Sequence, residues 1–371
     1  MSAYLRHLTA ISAFKGQHMY ATLFSAYRAT FRLLPLALCL LTVHPLGAAS
    51  RAHPPQQGHS QRSSPDQPQA EASAPLPAPI KNLFWQPNDL QQGSPTLFTI
   101  EFERVPTRVT AKWIGKNLSF FKSSDPKVWL ALAGADLETA PGSYNLAVTA
   151  TFGGRRIVHA VKQVDIAAAN FPSGTVDVPE NFVEPDAAAK RQIAADGILK
   201  RRAFSHLIPA PQWSGNFVSP VEAKPTNSFG KQRVFNEELT STHRGTDFPI
   251  KEGATVVVSN SGTVLLAKEL FYEGNCVIVD HGQSFYTTYM HLSRIDVKPG
   301  ERLTKGAKIG LSGATGRATG PHLHMGVRWN GAYLDPTRLL ALTLPKLGAN
   351  GPTNPAATAA KRQASAHHRR R

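Results

Sequence analysis

The stretch Gly320-Pro321-His322-Leu323-His324-Met325-Gly326-Val327 carries two histidines separated by one apolar residue. Alternating residues are typical of a β-strand, in which side chains two positions apart point to the same face. Both imidazoles would then project together. Such an arrangement is needed if they bind one metal ion, or if one binds the ion and the other transfers protons beside it. Two surface histidines in a strand have the same spacing, so the neighbouring sequence has to decide.

Two earlier segments of the same region also carry histidine, His243-Arg244-Gly245-Thr246-Asp247 and Tyr289-Met290-His291-Leu292. Gly245 and Pro249 disfavour a helix over the first segment, and in an extended chain a separation of four residues keeps both side chains on one face. Two histidines and one carboxylate are a three-ligand set that suits a catalytic zinc ion with one position left for water. Calcium would require more carboxylates. The two remaining histidines could transfer protons or stabilise an oxyanion.

Each histidine also has a purely structural explanation. The chain contains 14 histidines, so a single one carries little information. Alone, His243 would be a loop residue and His291 a half-buried one, and the pair at 322 and 324 would be a coincidence within a strand. Their shared location among glycine-rich turns of one predicted β domain favours the functional explanation.

Several short segments between residues 227 and 340 together form a recognisable pattern. They are Ser228-Phe229-Gly230, His243 to Asp247, Gly274-Asn275, Val279-Asp280-His281-Gly282, Tyr289-Met290-His291-Leu292, Gly313-Ala314-Thr315-Gly316, Thr319 to His324, and Leu334-Asp335-Pro336. In this pattern the sequence resembles the lysostaphin/LytM-type zinc metalloendopeptidases, which cleave the peptides of bacterial peptidoglycan.

The resemblance implies a role for each candidate residue. It implies that one Zn²⁺ is bound by His243, Asp247 and His324. It further implies that His322 is the general base and that His291 is the second catalytic histidine, which stabilises the transition state.

The function implied by the resemblance is that of an exported zinc metalloendopeptidase, which hydrolyses peptide cross-links of peptidoglycan by attack of zinc-bound water on the amide carbonyl. The family precedents are D-alanyl to diamino-acid cross-links and glycine bridges. No cell-wall-binding repeat is recognisable, which favours the direct cross-links. The alternative is a catalytically silent wall-binding or amidase-activating protein of the same fold, and retention of all five residues disfavours it. The expected partners are peptidoglycan stem peptides and cross-links, and a monomer is favoured.

The chain of 371 residues has room for about two domains and tails. We predict an all-β protein with a signal peptide (1–49), a disordered Pro/Gln/Ser-rich linker (50–81), an immunoglobulin-like β-sandwich (82–168), a connector with a helix (169–212), an antiparallel β domain of the LytM/lysostaphin type that holds the metallopeptidase (213–344), and a basic disordered tail (345–371). The helix is expected from about Pro185 to Phe204, with Asp186 as its cap.

The N-terminal region has the pattern of a secretory signal peptide. Arg28 and Arg32 precede an apolar run over 33–43, and Gly47-Ala48-Ala49 supplies small residues for cleavage. The run is too short to span a bilayer stably, so membrane contact is expected to be transient and through this peptide only. The predicted location is the periplasm or cell envelope, with secretion as the alternative.

Charge and cysteine content restrict the remaining classes of function. The formal net charge of +16 indicates an anionic partner, but no nucleic-acid-binding motif is present, so no specific nucleic acid is expected. Of the two cysteines, Cys39 would leave with the signal peptide, and Cys276 is typical of a small core residue. No disulfide framework is therefore possible in the mature chain. His281 is assigned to structure before any contact with substrate.

Overall fold

A computed structural model of the protein describes residues 75–176, 178–235 and 239–347. The predicted signal peptide, most of the predicted linker and nearly all of the basic tail lie outside these residues. Strands form most of the regular structure in the described part, together with two α-helices. The all-β prediction is confirmed. Within the same part, no helix is long and apolar enough to cross a membrane.

Eight strands form the first folded region, which we call the sandwich. They are β1 (Ile80–Gln86), β2 (Pro95–Phe102), β3 (Arg108–Trp113), β4 (Lys116–Ser119), β5 (Phe121–Lys122), β6 (Val128–Gly134), β7 (Gly142–Thr151) and β8 (Ile157–Ile166).

The sandwich consists of two four-stranded antiparallel sheets, in the orders β1-β2-β6-β5 and β4-β3-β7-β8. Buried and exposed residues alternate along β3 and β8, whereas β2 and β6 are buried on both faces. The ring of Phe98 on β2 meets that of Trp113 on β3 with centroids 5.1 Å apart. The indole N–H of Trp113 donates a 2.9 Å hydrogen bond to the Gly134 carbonyl, so this fully buried ring keeps a polar partner. The assignment of this sandwich to the immunoglobulin type stays a prediction.

The connector contains strand β9 (Ser173–Val176) and helix α1 (Ala187–Phe204). The Asp186 side chain caps the helix by accepting a 2.7 Å hydrogen bond from the Ala189 N–H, in agreement with the sequence-based expectation. The Asp196 carboxylate accepts a second hydrogen bond, 2.8 Å long, from the backbone N–H of Phe271, and Lys200 pairs with Glu273. These contacts fix one side of α1 to the domain that follows.

Twelve strands and one short helix form the second folded region, which we call the β domain. They are β10 (Gln232–Phe235), β11 (Leu239–Thr242), β12 (Thr246–Pro249), β13 (Thr255–Val257), β14 (Gly262–Leu270), β15 (Gly274–Asp280), β16 (Phe285–Leu292), β17 (Arg294–Ile295), β18 (Arg302–Leu303), β19 (Lys308–Leu311), β20 (His322–Trp329), β21 (Ala332–Leu334) and α2 (Pro336–Ala341).

The β domain is built on a seven-stranded antiparallel sheet in the order β12-β20-β16-β15-β14-β18, with β21 paired to β20. A smaller sheet has the order β13-β19-β17, and another has the order β11-β10-β9. In the last of these, β9 of the connector pairs in parallel with β10, so a segment that precedes α1 contributes a strand to the β domain. Helix α1 packs on β14 and β15, where Ala203 joins a buried cluster with Leu266 and Ile278.

The sandwich and the β domain share one continuous apolar core. Trp213, only 1% exposed, packs edge-on against Phe121 of the sandwich, with ring centroids 5.7 Å apart. The Asp136 carboxylate accepts a 2.7 Å hydrogen bond from the Tyr333 N–H of β21. Because apolar packing and a hydrogen bond to β21 both cross the boundary, the sandwich supports β21, which pairs with β20.

Candidate functional site

Strands β12 and β20 bring two of the candidate residues together. They pair antiparallel in a register that places Asp247 directly opposite His324. Directly opposite residues of an antiparallel pair project to the same face with Cβ atoms about 4.5–5.5 Å apart. The Asp247 Oδ1 to His324 Nδ1 distance is 2.9 Å. The register of β12 and β20 therefore determines the relative positions of Asp247 and His324.

His243 approaches the pair from the segment that precedes β12. Its backbone N–H donates to the Lys231 carbonyl at 2.9 Å, which holds the segment in place. Its Nε2 lies 3.1 Å from Asp247 Oδ1 and 2.9 Å from His324 Nδ1. Gly245 makes this approach possible, because a Cβ at that position would lie 2.4 Å from His324 Nε2. The glycine between the two candidate ligands is thus required by close packing.

The three side chains present one donor atom each to a common point. His243 Nε2, Asp247 Oδ1 and His324 Nδ1 form a triangle with edges of 2.9, 2.9 and 3.1 Å. For tetrahedral zinc with bonds of about 2.0–2.1 Å, the ligand atoms are about 3.3 Å apart. Three electron-rich atoms this close together repel one another unless a proton or a cation lies between them. The donor set and its spacing therefore fit a divalent cation.

The protonation of the histidine rings follows from their backbone partners. Three rings place Nδ1 close to a carbonyl oxygen, which can only accept a hydrogen bond: His243 to Ser228 at 2.7 Å, His291 to Thr315 at 2.8 Å, and His322 to Gly320 at 2.8 Å. In each neutral ring the proton is therefore on Nδ1, and Nε2 carries a lone pair. For His243 this lone pair faces the candidate cation position, as a metal ligand requires.

His322 and His291 lie beside the triangle. The Nε2 atom of His322 is 3.7 Å from Asp247 Oδ1, since His322 is two residues before His324 on β20. The ring centroid of His291 is 4.8 Å from that of His322 and 6.0 Å from that of His324. The structure thus brings together all five residues singled out in the sequence, while the role of each stays a prediction.

A bulge in β16 turns His291 toward the other histidines. The register of β15 and β16 shifts between the pairs Asn275–Leu292 and Val277–Tyr289, so two residues of β16 oppose one of β15. At the bulge, His291 has a φ of 62°, which is uncommon for a residue other than glycine. Both Met290 and His291 consequently line the groove, which consecutive residues of a regular strand cannot do. Such strained positions are concentrated at functional sites.

Burial sets the charge of the site at neutral pH. It lowers the pKa of His243 to about 4, although the Asp247 carboxylate acts in the opposite direction. Burial, reinforced by His324 and His322, lowers the pKa of His291 to about 3. Burial alone would raise the pKa of Asp247, but the close contacts of its carboxylate with the His243 and His324 rings outweigh burial and lower the pKa well below its usual range. At pH 7 Asp247 is therefore ionised and His243 is neutral, which are the protonation states in which these two residues bind metals.

Arg233 on β10 is a site residue that the sequence analysis missed. Its guanidinium Nη2 lies 2.7 Å from Asp247 Oδ2, the carboxylate oxygen that faces away from the histidines. Asp247 is also held through its backbone N–H, which donates to Ser228 Oγ at 3.1 Å. These contacts leave Oδ1 alone to face the triangle. The sequence offered one indication of this role, because Arg233 closely follows the segment Ser228-Phe229-Gly230. The contact with Asp247 could not be predicted, since only the fold brings β10 next to β12.

The site opens into a groove of about 1370 Å³ along one face of the seven-stranded sheet. Alternate residues of β20 form its floor, namely His322, His324, Gly326 and Arg328. A Cβ at Gly326 would lie 2.4 Å from Thr288 Oγ1, so glycine keeps the floor flat beside the ligands. Helix α1 forms one wall through Lys200, Arg201 and Phe204.

His281 lies away from this groove, in the interior of the β domain. It is fully buried, and its Nδ1–H donates to the Ser261 carbonyl at 2.8 Å. Its Nε2 is 2.8 Å from the Thr287 hydroxyl, which in turn is 3.0 Å from the hydroxyl of Tyr289. Burial lowers the pKa of His281 to about 4. These contacts agree with the structural role expected from the sequence.

Comparison with known proteins places this geometry in a family. Residues 241–336, which include all five candidate residues, match Peptidase family M23. This segment is an M23 peptidase domain. The match covers about a quarter of the chain and leaves the sandwich and the whole connector outside it.

Two curated relatives from Vibrio cholerae serotype O1 are similar to part of this chain. One is the peptidoglycan DD-endopeptidase ShyA, 42% identical over 108 residues, which cover 28% of this chain and 25% of that protein. The other is the peptidoglycan DD-endopeptidase ShyB, 45% identical over 85 residues, which cover 23% of this chain and 20% of that protein. The chain therefore spans a quarter or less of the length of these relatives.

A solved structure extends the likeness in fold beyond the M23 domain. It is a crystal structure of a Pseudomonas aeruginosa protein assigned to peptidase M23, with a TM-score of 0.52 and 24% identity, covering 67% of this chain and 94% of that chain. The likeness covers 67% of this chain, which is more than residues 241–336 and all the residues after them. The shared fold therefore includes residues before the M23 domain. At this identity the likeness concerns the fold alone.

Proposed function

We propose that the protein is a zinc metalloendopeptidase that hydrolyses peptide cross-links of bacterial peptidoglycan. The observation that carries this proposal is the convergence of His243, Asp247 and His324 on one point, with His291 and His322 beside it, in a groove of an M23 domain. The curated relatives ShyA and ShyB, which are 42% identical over 108 residues and 45% identical over 85 residues, are named peptidoglycan DD-endopeptidases and support the choice of substrate.

Zinc would be held by the two imidazoles and the carboxylate of the triangle. When bound there, it would polarise the scissile carbonyl and lower the pKa of a water molecule toward about 7. Arg233 would keep Asp247 monodentate by occupying Oδ2, and the Ser228 carbonyl would keep the His243 lone pair directed at the ion. These contacts preserve the open fourth position that a catalytic zinc site needs.

His322 is suited to the role of general base. Its Nδ1–H is committed to the Gly320 carbonyl, so Nε2 carries the lone pair and faces the site. It can accept a proton from the attacking water, and once protonated it can pass that proton to the leaving amine. The rigid loop before β20 and the strand itself hold the ring for both transfers.

His291 must be protonated before it can stabilise the transition state. Its Nδ1–H is also committed to a carbonyl, that of Thr315, so the neutral ring offers an acceptor at Nε2 and no donor. It can donate a hydrogen bond to an oxyanion only after Nε2 has taken up a further proton from the solvent. The developing negative charge of the substrate would favour that protonation, which burial otherwise opposes. His291 is therefore proposed to act as a charge stabiliser coupled to proton transfer.

The proposal is tested with defined cross-linked muropeptides and purified sacculi. The full mature chain is loaded with zinc, its metal content is measured, and released fragments are identified by mass spectrometry. We expect cleavage of the cross-link amide, loss of cleavage with a chelator, and recovery when zinc is restored. Stoichiometric zinc without any released fragment would contradict the endopeptidase proposal. A protein that binds no zinc would instead support the silent wall-binding alternative.

We also propose that the protein acts in the cell envelope, outside the cytoplasm. This proposal depends on the N-terminal sequence pattern and on the location of the proposed substrate. Labelling of the intact cell, followed by fractionation and N-terminal sequencing of the mature protein, tests it. Recovery of the protein in the cytoplasm with residues 1–49 retained would contradict it.

A further inference from the structure

The groove of the M23 domain is strongly basic. Among the residues that the structure describes, five arginines and two lysines line it, against one aspartate and one glutamate. Both carboxylates already have partners. Asp247 contacts Arg233 and the histidines of the site, and Glu273 pairs with Lys200. A groove of this composition is complementary to a negatively charged ligand.

One arginine on the floor of this groove, Arg328, has no charged partner among the described residues. By contrast, the guanidinium of Arg233 pairs with Asp247. That of Arg244 pairs with Glu138 of the sandwich. The Nε atom of Arg328 is buried and also lacks a hydrogen-bond partner within the described part of the chain. Buried N–H groups of folded proteins nearly always have a partner, so this one indicates a donor that is kept for a ligand.

Two aromatic rings hold the Arg328 guanidinium in place. Its Cζ is 4.3 Å from the ring centroid of Phe204 on α1 and 5.0 Å from that of Tyr333 on β21. The Phe204 ring is itself fixed, because it meets the Tyr286 ring edge-on with centroids 5.4 Å apart. The Tyr333 backbone N–H donates to Asp136 at 2.7 Å. Contact with ring faces fixes the plane of a guanidinium and leaves its N–H edge available, and that edge matches a carboxylate in a bidentate geometry.

Strand geometry gives the distance between Arg328 and the candidate metal ligands. Arg328 lies on β20 four residues beyond His324 on the same face, about 13 Å away at about 3.3 Å per residue. Between them the floor is flat at Gly326, where a Cβ would lie 2.4 Å from Thr288 Oγ1. An extended peptide rises about 3.3–3.6 Å per residue. A carboxylate that reaches Arg328 is therefore about four residues, or an equivalent length of side chain, away from the scissile amide.

We infer that Arg328 is a specificity-determining residue that binds one free carboxylate of the substrate, remote from the scissile amide. The inference rests on the proposed endopeptidase function and narrows its substrate. It selects cross-linked stem peptides in which one of the two stems keeps a free carboxylate at this distance. Neutral bridges, such as oligoglycine, and stems in which that carboxyl group is amidated fit the groove less well.

The experiment uses a synthetic dimer of stem tetrapeptides joined by a D-alanyl to diamino-acid amide, together with derivatives in which one carboxylate at a time is amidated. In one derivative the modified carboxyl group is on the carbon bonded to the scissile nitrogen, and in the others it is remote. kcat/KM is measured for the zinc-loaded full chain and for the variants Arg328→Gln and Arg328→Lys. Arg294→Gln is the matched control, because Arg294 carries the same charge outside the groove and pairs with Asp296.

Amidation of one remote carboxylate is expected to lower kcat/KM of the native protein by about tenfold to hundredfold, as for loss of a charge-assisted hydrogen bond. Arg328→Gln should cleave the unmodified dimer as slowly as the native protein cleaves that derivative, and the same amidation should then have no further effect. Arg328→Lys keeps the charge without the planar N–H edge, so it should recover part of the lost rate. The Arg294→Gln protein should behave like the native one on every dimer.

Equal cleavage of the unmodified dimer and of every remotely amidated derivative by the native protein would overturn the inference while leaving the endopeptidase proposal intact. An Arg328→Gln protein that loses activity on all the dimers in the same proportion would also overturn it, because that result indicates a general structural role for the arginine. If Arg328→Gln does not fold, an Arg328→Lys protein with the full native sensitivity to each amidation overturns the inference. If the zinc-loaded native protein cleaves none of the dimers, the proposed function itself fails.

Discussion

The sandwich and the β domain are both antiparallel β structures, and both bury hydroxyl side chains, but they differ in the burial of ionisable groups. In the described part of the sandwich, the buried polar side chains are the hydroxyls of Ser94, Thr96, Thr99 and Thr139. The β domain buries ionisable groups as well as hydroxyls, and the ionisable ones are His243, His281, His291, His324 and Asp280. A hydroxyl is cheap to desolvate once it is hydrogen-bonded, whereas an ionisable group must lose its charge or find a charged partner.

The burial of ionisable groups lowers the stability of the β domain, and these groups include the candidate metal ligands. The described part of the sandwich buries no ionisable side chain and so needs no such partners. The β domain needs backbone carbonyls, an arginine and a glycine contact to orient its imidazoles and its carboxylate. Substitutions should therefore affect activity and pH response in the β domain, while similar substitutions in the sandwich should affect neither.

The largest effect is expected for His322→Ala. The substitution removes the proposed general base, and positioned acid–base catalysis typically contributes about 10²- to 10⁴-fold to the rate. kcat on a cross-linked muropeptide should fall by that factor while zinc content stays stoichiometric, since His322 is outside the ligand triangle. The matched control is His159→Ala in the sandwich, an exposed histidine on β8, which should leave kcat unchanged. An equal loss of kcat in the two variants would contradict the assignment of catalysis to the β domain rather than to the sandwich.

A second prediction concerns pH and the buried His281. The pKa of His281 is lowered to about 4 in the folded protein, against an ordinary value of 6.5, so the unfolded chain binds the proton more readily. Its contribution to stability is complete above pH 6.5 and is lost as the pH falls toward 4, by up to about 3 kcal/mol. The difference in unfolding free energy between native protein and His281→Asn should therefore shrink over this interval. A constant difference from pH 7 to pH 4 would show that His281 does not titrate in this way.

Much of this contrast is readable in the sequence, but the contacts that complete the site are not. The alternation in residues 320–327 predicts β20, and the spacing of His243 and Asp247 predicts an extended segment, because both patterns depend on local backbone geometry. Arg233 could not be assigned to Asp247, since their contact depends on how β10 folds beside β12. The bulge at His291 depends on a register shift between two strands, and sequence periodicity does not encode such shifts.

A third prediction tests that missed contact. Arg233→Gln removes the charge that holds Asp247 Oδ2 and should weaken zinc binding by about 10- to 100-fold, the range found when partners that orient metal ligands are lost. Competition with a chromophoric chelator measures this affinity without reference to activity. Arg108→Gln, on an exposed position of the sandwich, is the control and should bind zinc as the native protein does. Unchanged affinity in Arg233→Gln would mean that Asp247 is oriented by its strand alone.

The smallest effect is expected at an ion pair that links the two regions at their surface. Arg244 Nη2 lies 3.2 Å from Glu138 Oε1, and both side chains are at least half exposed. Exposed pairs contribute about 0–1 kcal/mol and are screened by salt, so Glu138→Gln should lower the free energy of unfolding by less than about 1 kcal/mol.

The comparison variant Asp136→Ala should lower the free energy of unfolding by more, about 1–3 kcal/mol, because it leaves the Tyr333 N–H without its acceptor inside the interface. Denaturant unfolding measures both variants. If Glu138→Gln proved the more damaging of the two, surface charge rather than the buried interface would join the sandwich to the β domain.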